Sequence, residues 1–297
     1  MEKFENFDNL TAMFDHYNEA VYIVDKHRQI LYFNPMATQI SGFTKEDTEG
    51  SFCYQNILNH VNDQGVNLCK NHCPLVDAIN ENKMMEHYVY LHHKNGHRVR
   101  VLVRVYPYIS YGKVVGAIEV FTNQTQTSLS LDFYDEHEKL TMIDPLTKLY
   151  NRRVIEKALL NHLAYHHIKT VGVLFIDFDK FKDVNDTYGH QFGDRVLVSL
   201  TQTILHNIRE NDVAVRYGGD EIVVFLLNID DKDILEVAEK FRVLLEKTGP
   251  REQSLVQGAS IGAVIKKDDE TLFEAIHRAD QAMYEAKKRG GKQVVYK

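Results

Sequence analysis

The stretch Arg216-Tyr217-Gly218-Gly219-Asp220-Glu221-Ile222 decides the fold of the C-terminal half of the chain. Apolar residues precede it at 213–215 and follow it at 222–227, a pattern typical of two strands joined by a tight turn. Tight hairpin turns use positive φ angles that glycine adopts readily, so we predict the turn at the two glycines. Asp220 and Glu221 are then expected at the tip of a rigid sheet, where carboxylates can bind a metal ion or accept a proton.

A second acidic segment lies upstream of this hairpin. The apolar run at 171–176 is short and rich in β-branched residues, which predicts a buried strand that ends at Asp177 and Asp179. These two side chains point to the same side of the strand because they are two residues apart. A carboxylate at the end of a buried strand is costly unless a cation lies against it. If this strand neighbours the hairpin, Asp177, Asp220 and Glu221 converge as hard oxygen ligands of the kind that Mg²⁺ prefers; the alternative is a solvated acidic loop.

Four segments, in order along the chain, make it similar to the diguanylate cyclase (GGDEF) family. The segments are Asp144-Pro-Leu-Thr-Lys-Leu-Tyr-Asn-Arg-Arg153, the strand and acids that end at Asp179, Asn185-Asp-Thr-Tyr-Gly-His-Gln-Phe-Gly-Asp194, and Gly218-Gly-Asp-Glu221. Together they cover about residues 140–297, roughly half of the chain. The resemblance implies an α/β domain over 144–297, with a palm-like central sheet flanked by helices as in nucleotidyl cyclases. Ile222 replaces the usual final Phe, and since both are apolar strand residues we expect little effect.

The resemblance implies a metal-assisted reaction of GTP. Asp177, Asp220 and the Phe178 carbonyl would hold Mg²⁺ or Mn²⁺, with Glu221 beside them at the 3′-hydroxyl of GTP. That hydroxyl would attack an α-phosphate and pyrophosphate would leave, while metal ions neutralise the charge. The proton acceptor is Asp220 or Glu221, and the sequence does not separate these two.

The resemblance also implies the residues that bind the nucleotide. These are Asn185 and Asp194 at the guanine edge, His190 and Phe181 near the nucleotide, and Lys182 and Lys287 at the phosphates. A carboxylate at Asp194 accepts hydrogen bonds from guanine N1–H and N2–H₂, a pair that adenine lacks, which favours GTP over ATP. The alternative for Asp194 is a helix N-cap, since a Gly-Asp start before an apolar run also permits one.

The basic segment Lys287-Lys288-Arg289-Gly290-Gly291-Lys292 departs from the family pattern. Lys287 matches the expected lysine, but Gly291 stands where the family has an arginine that contacts phosphate. Arg289 or Lys292 is the candidate substitute. The alternative for this segment is a solvated helix end whose cations complement the helix dipole.

Arg209-Glu-Asn-Asp212 lies shortly before the hairpin, where many relatives carry an Arg-x-x-Asp site for product inhibition. An arginine pairs bidentately with phosphate, and an aspartate accepts hydrogen bonds from guanine. We therefore predict that Arg209 and Asp212 bind cyclic di-GMP and inhibit the enzyme. The alternative is a plain surface loop.

The composition agrees with the soluble cytosolic signalling enzyme that the resemblance implies. The chain has 297 residues, 44% of them hydrophobic, which predicts about two domains with a core each. Its net charge of −7 argues against polymeric nucleic acid as a partner. No stretch approaches the ~18 apolar residues of a membrane span, and the start Met-Glu-Lys-Phe-Glu-Asn is not a signal peptide. We therefore expect no membrane segment and a cytoplasmic location.

Residues 8–123 show a different pattern, which resembles a PAS sensor domain. Strands are predicted at 20–25, 29–34, 87–92, 98–106 and 114–121, with short helical turns after the second strand. This order implies an α+β fold, a five-stranded antiparallel sheet with small helices. PAS domains sense ligands, cofactors or partners, so this domain is expected to be the regulatory input.

All three cysteines lie in the PAS region, and a cytosolic protein with three cysteines is not a disulfide scaffold. On a helix, Cys69 and Cys73 would place both thiols on one face. Together with Cys53 and a histidine they are a candidate Zn²⁺ site or Fe–S cluster. The candidate histidine is His72, and His60 is also close by. Haem is a further candidate because PAS pockets can hold it. The alternative is that the cysteines are small buried apolar residues and that Cys73 merely precedes a helix.

Residues 124–143 are polar with scattered apolar residues and contain no Pro or Gly, which predicts a signalling helix between the domains. Their periodicity is ragged and only suggests a coiled coil; a flexible tether is the alternative. Each cyclase domain presents one GTP, so the reaction needs two domains face to face. We expect a homodimer in which the PAS domain and the helix set their relative orientation.

The favoured interpretation is a homodimeric, PAS-regulated diguanylate cyclase that converts two GTP into cyclic di-GMP and two pyrophosphates. One alternative is a catalytically silent module that binds nucleotide or a partner protein. The intact Asp177, Asp220 and Glu221 count against that alternative. Another is a metal or redox sensor whose cyclase activity is normally off.

Overall fold

The computed structural model describes residues 6–55, 57–124, 131, 140–249 and 258–297. The chain forms two compact units, Met1–Thr125 and Gln126–Lys297. Each unit has its own hydrophobic core, built on its own sheet. Most of the segment 124–143, for which we predict a helix, lies outside the described residues.

A five-stranded antiparallel sheet forms the N-terminal unit, which confirms the prediction. Its strands are β1 (Ala20–Asp25), β2 (Ile30–Phe33), β3 (Met85–His92), β4 (Arg98–Ser110) and β5 (Lys113–Asn123). They lie in the order β2-β1-β5-β4-β3, so β1 and β5, the first and last strands of this unit, are neighbours.

Successive side chains along the strands of this sheet point to two opposite apolar faces. Four short helices accompany them: α1 (Phe7–Phe14), α2 (Pro35–Ser41), α3 (Lys45–Thr48) and α4 (Pro74–Glu81). Tyr22 and Val24 of β1 face the larger core, to which α2 and α4 also contribute. Val21 and Ile23 face the smaller core on the other side, against α1. The period of two along β1 therefore separates the two cores.

A mixed six-stranded sheet forms the C-terminal unit. Its strands are β6 (Tyr150–Asn151), β7 (Val171–Asp179), β8 (Val213–Arg216), β9 (Glu221–Leu227), β10 (Gly258–Ile265) and β11 (Val294–Tyr296). The order is β11-β10-β7-β9-β8-β6. β7 is antiparallel to both β9 and β10, whereas β6 and β11 add parallel pairs at the two edges. β8 and β9 form the predicted antiparallel hairpin.

Helices pack on both faces of this sheet, as expected for a flanked central sheet. They are a π-helical segment (Ile155–Leu159) that runs into α5 (Leu160–Tyr165), then α6 (Phe181–Tyr188), α7 (His190–Leu205), α8 (Asp231–Glu246) and α9 (Leu272–Lys288). Leu174 and Ile176 of β7 pack with α6, α7 and α8. Val173 and Phe175 pack with α9 and the π-helical segment. Among the helices described, none has the length and apolar character needed to cross a bilayer.

Gly262 of β10 allows α9 to lie close against the sheet. A Cβ atom at this position would overlap the Ala279 carbonyl oxygen and the Met283 amide nitrogen of α9. Because these are backbone atoms of a helix, they cannot move aside as a flexible side chain can. The same helix carries Lys287 in its last turn, where the ammonium group lies next to Asp177 near the end of β7.

Candidate functional site

Two carboxylates face each other where β7 and β9 meet. Asp177, near the end of β7, is paired directly with Glu221, the first residue of β9. Phe175 and Val223, two residues along each strand, lie in the core that α9 covers. Alternation therefore places the Asp177 and Glu221 side chains on that same face. We expect the two acidic segments to converge if the strand and the hairpin are neighbours; the structure pairs β7 with β9 and brings these two residues together.

The Lys287 ammonium group brings a cation to this pair. Its Nζ lies 2.5 Å from Asp177 Oδ1, and the Asp177 side chain is 9% exposed. Burial raises the pKa of Asp177 to about 6; the Lys287 contact opposes this rise, and the charges of Asp220 and Glu221 add to it. Further positive charge brought to this site would stabilise the carboxylate form.

Asp280, on α9, is an acidic residue of the site that the sequence analysis did not single out. Burial raises the pKa of Glu221, the charges of Asp220 and Asp280 raise it further, and Lys287 lowers it. Asp280 precedes Lys287 by two helical turns, so both lie on one face of α9, and this spacing was the available signal. A carboxylate with a raised pKa accepts a proton more readily near neutral pH, which suits Glu221 to general base catalysis.

The Arg216 guanidinium holds the turn that carries Asp220 and Glu221. Its Nε and Nη2 donate to the Gly219 carbonyl oxygen at 3.1 and 2.9 Å. Its Nη1 donates to both carboxylate oxygens of Asp144 at 3.0 Å. Asp144 Oδ1 also accepts hydrogen bonds from the amide and hydroxyl of Thr147. The Asp144-Pro-Leu-Thr segment thereby braces the hairpin turn, a role that sequence reasoning did not assign.

The reason predicted for the paired glycines is wrong. Neither Gly218 nor Gly219 is among the described glycines with a positive φ. A Cβ atom at Gly218 would instead overlap a carboxylate oxygen of Glu221, whereas one at Gly219 would meet nothing within 4 Å. A side chain at position 218 would therefore displace the Glu221 carboxylate from the place that it occupies.

Asp179 has structural partners of its own. Its Oδ1 accepts a hydrogen bond from Ser260 Oγ at 2.7 Å, and its Oδ2 accepts one from the Lys292 amide at 2.8 Å. This fixes the loop in which Gly291 has a φ of 75°. Arg289, one candidate substitute for the missing arginine, lies 3.7 Å from Glu285 and is 62% exposed.

The chemistry of the carboxylates fits Mg²⁺ or Mn²⁺, but their arrangement alone does not make a metal site. Asp177, Asp220 and Glu221 offer hard oxygen donors. Within the described ranges, however, no three His, Cys, Asp or Glu side chains are grouped so that they could hold one ion. An ion here would need further oxygen ligands, and nucleotide phosphates are the usual source.

Family profiles match both units. Residues 141–293 match the family described as diguanylate cyclase, GGDEF domain, and residues 18–126 match a PAS domain family. The chain belongs to the diguanylate cyclase GGDEF family. Its C-terminal unit contains the GGDEF domain and its N-terminal unit the PAS domain.

Known relatives match about half of this chain. The diguanylate cyclase DosC of Escherichia coli K12 is 37% identical over 158 residues, which are 51% of this chain and 34% of DosC. The uncharacterised protein YtrP of Bacillus subtilis is 36% identical over 156 residues, 52% of this chain and 26% of YtrP. The chain thus spans about a third or less of the length of these curated relatives.

A solved structure shows the same fold in the GGDEF domain. It is the crystal structure of the coiled coil and GGDEF domain of DgcB from Caulobacter crescentus in complex with c-di-GMP. It has a TM-score of 0.50 and 25% identity, and the match covers 55% of this chain and 88% of that chain. The match supports the α/β architecture expected for the C-terminal half.

In the GGDEF domain, the predicted guanine-binding residues lie on α6 and α7. Asn185, on α6, packs against Gly193 of α7, where a Cβ atom would overlap the Asn185 amide oxygen. Asp194 is exposed near the start of α7. Its alternative role as an N-cap is wrong, because α7 begins at His190 and Gly189 holds the N-cap position.

The remaining predicted nucleotide contacts divide by exposure. Lys182 and His190 are exposed and therefore accessible to a ligand. Phe178 and Phe181 lie in the core, 1% and 9% exposed. The prediction for Phe178 concerns its backbone carbonyl, so the burial of its ring does not bear on that prediction. For Phe181, burial of the side chain restricts a nucleotide contact largely to the backbone.

Asp212, in the predicted inhibitory pair, supports the β8–β9 hairpin. Its Oδ2 accepts a hydrogen bond from the Arg209 amide and its Oδ1 one from the Leu227 amide, both at 3.0 Å. Burial raises the pKa of Asp212, although these hydrogen bonds lower it. Arg209 is exposed. The Arg209 guanidinium, rather than the Asp212 carboxylate, is therefore the accessible part of this pair.

The three cysteines of the PAS domain line one cavity. Cys53, Cys69 and Cys73 are buried free thiols. His60 and Glu119 border the same cavity. The structure therefore brings the three cysteines together at one cavity, although they come from separate loops.

Two details of the predicted cysteine site are wrong. Cys69 is not on a helix with Cys73, because α4 begins at Pro74 and Cys69 lies in the turn before it. Cys73 holds the N-cap position, as the alternative interpretation expects. His72 is exposed and does not border the cavity, so the structure does not place it with the thiols.

Proposed function

We propose that this protein is a PAS-regulated diguanylate cyclase that condenses two GTP into cyclic di-GMP and two pyrophosphates. The observation that carries the proposal is the Asp177–Glu221 pair beside Lys287, in a chain of the GGDEF family. This arrangement brings a proton acceptor, anionic oxygen ligands and a cation suited to phosphate to one end of a sheet.

Each half of the reaction forms one phosphodiester bond. The 3′-oxygen of one GTP attacks the α-phosphorus of the other, the bond to pyrophosphate breaks, and the hydroxyl proton passes to a carboxylate. Glu221 is the proposed acceptor, because burial and the neighbouring acids raise its pKa. Asp220, its neighbour in the turn, is the alternative. A second transfer of the same kind closes the ring.

Mg²⁺ or Mn²⁺ is the proposed cofactor of the GGDEF domain. Asp177, Asp220, Glu221 and the Phe178 carbonyl would hold it together with the phosphates of GTP. When bound, the ion neutralises phosphate charge and lowers the pKa of the 3′-hydroxyl. Lys287, now paired with Asp177, is the cation closest to that carboxylate and is proposed to bind phosphate when GTP is present.

The helices α6 and α7 carry the proposed guanine contacts. Asn185 and the exposed Asp194 read the guanine edge, and Lys182 and His190 lie near the nucleotide. Arg209 and Asp212 are proposed to limit the product level by binding cyclic di-GMP. In that role Arg209 contacts the ligand, and Asp212 fixes the loop.

The proposed active assembly is a homodimer. One GGDEF domain presents one GTP, and the reaction joins two, so a second domain must face the first. The PAS domain is the proposed input, and the segment 124–143 transmits its state by changing the relative orientation of the two domains. GTP and cyclic di-GMP are the proposed small-molecule partners, and no polymeric nucleic acid is expected.

The test is product formation by purified full-length protein with GTP and Mg²⁺, measured by mass spectrometry. Wild type is expected to form cyclic di-GMP, and Glu221→Gln is expected to bind GTP without forming it. The matched control is Glu236→Gln, the same change on the exposed surface of α8, which should keep the wild-type rate. If wild type binds GTP but yields no product with either metal ion, a nucleotide-binding module replaces the cyclase.

A further inference from the structure

Two buried polar side chains in the PAS cavity face each other without completing a hydrogen bond. His60 and Glu119 are 5% and 1% exposed. In the part of the chain that the structure describes, neither His60 Nε2 nor Glu119 Oε1 has a hydrogen-bond partner. The two atoms are 3.8 Å apart, which is too long for a hydrogen bond. Since buried polar groups are nearly always partnered, this cavity is expected to receive a ligand.

The three thiols that border the same cavity are soft donors. Burial raises the pKa of Cys53 and raises that of Cys69 to about 12. Both therefore stay protonated, and poorly reactive toward oxidants, unless a metal ion takes the place of the proton. The Cys69 sulfur already accepts a hydrogen bond from the His60 amide, which ties the two loops together.

Two arginines lie beside these loops and can balance negative charge there. Arg28 Nη1 donates to the Cys69 carbonyl oxygen at 2.9 Å. Arg98, 3% exposed, donates from Nη1 to the Asn59 carbonyl oxygen, next to His60, at 2.7 Å. Arg28 lowers the pKa of Cys53 and Cys69, so its charge acts on the sulfur atoms. Three thiolates and an imidazole on a divalent ion carry a net negative charge, which these arginines offset.

We propose that Cys53, Cys69, Cys73 and His60 bind one thiophilic divalent ion of the Zn²⁺ class. Three thiolates and one imidazole are a tetrahedral ligand set that Zn²⁺ uses in structural sites, and three residues between Cys69 and Cys73 is a spacing found in them. His60 gives one ring nitrogen to the ion. Glu119 accepts a hydrogen bond from the N–H of the other ring nitrogen and thereby orients the ring, as carboxylates do for metal-bound imidazoles.

The ligands close around the ion when it binds. Among the described residues, no three such side chains already form a metal-binding group. Rotation about the Cα–Cβ bond moves a cysteine sulfur while the backbone stays in place, and Cys53 and Cys69 lie in turns. The volume open to the centre of a water molecule is about 10 Å³, which is room for a single ion. Haem and Fe–S clusters, both candidates on sequence grounds, are larger than this.

The first test measures the metal content of full-length wild type, grown with zinc and dialysed against excess Mg²⁺. About one zinc per chain is expected. The chain has three cysteines, all in this cavity, so alkylation of the whole protein reports on the site alone. Alkylation should be slow with zinc bound and fast after a chelator is added. Zinc-free protein whose thiols react at the same rate with and without added zinc would overturn the proposal.

Matched variants locate the ion. His60→Ala is expected to lose most of the zinc, whereas His72→Ala, the exposed histidine next to Cys73, should keep it. Glu119→Gln should weaken zinc binding ~10–100-fold. If His60→Ala keeps its zinc and Asp177→Asn loses it, the ion belongs to the GGDEF domain and the proposal fails. Metal content does not depend on cyclase activity, so this result is separate from the test of the enzyme.

Discussion

In the GGDEF domain the buried carboxyl group of Asp177 has a lysine ammonium 2.5 Å away, whereas in the PAS domain the buried carboxyl group of Glu119 faces a tyrosine and an imidazole. Burial raises the pKa of Asp177 to about 6, with Lys287 opposing it. Burial raises the pKa of Glu119 to about 8, with only the Tyr22 hydrogen bond opposing it. At neutral pH the first group is therefore mostly ionised and the second mostly protonated.

This difference teaches what each site can bind. His60, beside Glu119, is also uncharged, because burial lowers its pKa to about 3 and the charge of Arg98 lowers it further. The PAS cavity therefore holds neutral groups, which suit a soft ion that displaces protons. The GGDEF site holds carboxylate oxygens and the Lys287 ammonium, which suit a nucleotide with its hard metal ion. Two differences separate the carboxyl groups: Glu119 is the more deeply buried, and Asp177 has the cation on α9 beside it.

The largest expected effect comes from removing the charge of Asp177. Asp177→Asn keeps the shape of the side chain but removes a proposed anionic oxygen ligand of the metal ion and the partner of Lys287. Turnover with GTP and Mg²⁺ should fall on the order of 10³-fold, ~4 kcal/mol in the barrier. The measurement is the steady-state rate of cyclic di-GMP formation.

Asp268→Asn is the control for that change, since it makes the same replacement at an exposed position in the loop before α9. It should leave the rate unchanged. An active Asp177→Asn protein would show that the ionised pair is structural, and the contrast between the two domains would lose its functional meaning.

A smaller effect is expected when the brace of the hairpin turn is weakened. Arg216→Lys keeps the charge but loses the fork that joins the Gly219 carbonyl oxygen to Asp144. Displacement of the turn should lower kcat by up to ~100-fold. KM for GTP should change little, because the guanidinium donates to the turn and to Asp144 and is not among the proposed nucleotide contacts.

Arg242→Lys, in an ion pair with Glu239 on the surface of α8, is the matched control and should behave as wild type. Equal kcat values for the two variants would mean that the hairpin positions Glu221 without help from Arg216.

Local patterns in the sequence were enough to predict the PAS strands, the strand that ends at Asp177 and the hairpin. The flanked central sheet of the GGDEF domain was inferred from family resemblance. Alternation places Asp177 on the same face of β7 as Phe175, but its pairing with Glu221 depends on the register of β7 against β9. The segments that form strands are short and apolar, and turn residues separate them. Such features depend on residues that are close in the sequence, so they can be predicted before the fold is known.

Contacts between segments that are far apart in the sequence could not be predicted in this way. Arg216 and Asp144 are 72 positions apart, and no local pattern links them. The role of Gly218 depends on where the Glu221 side chain lies, not on the turn itself. His72 is closest to the cysteines in sequence, but His60 is the buried one, because tertiary packing decides which histidine turns inward.

The smallest expected effect tests the protonated state of Glu119. A group whose pKa is raised in the folded protein stabilises it at low pH and loses this contribution as pH rises toward the folded pKa. For Glu119 the loss spans the range from its usual pKa of 4.5 to about 8. His60 contributes a smaller change of opposite sign just above pH ~6.5, because the unfolded imidazole is still losing its proton there while the folded one is neutral. Glu119→Gln retains this contribution of His60. Between pH ~6.5 and ~8, wild type should therefore lose ~1–2 kcal/mol more of its free energy of unfolding than Glu119→Gln does.

Calorimetric unfolding of full-length protein, with a chelator present, measures this difference as a shift of Tm with pH. The amide copies the shape of the protonated acid and still accepts the Tyr22 hydrogen bond, so it should not titrate and should fold normally. Glu81→Gln, the same change at the exposed end of α4, should keep the wild-type slope. If Glu119→Gln also keeps that slope, Glu119 is ionised in the folded protein. The two buried carboxyl groups would then be alike, and the charge of the PAS cavity would favour a hard cation over a soft one.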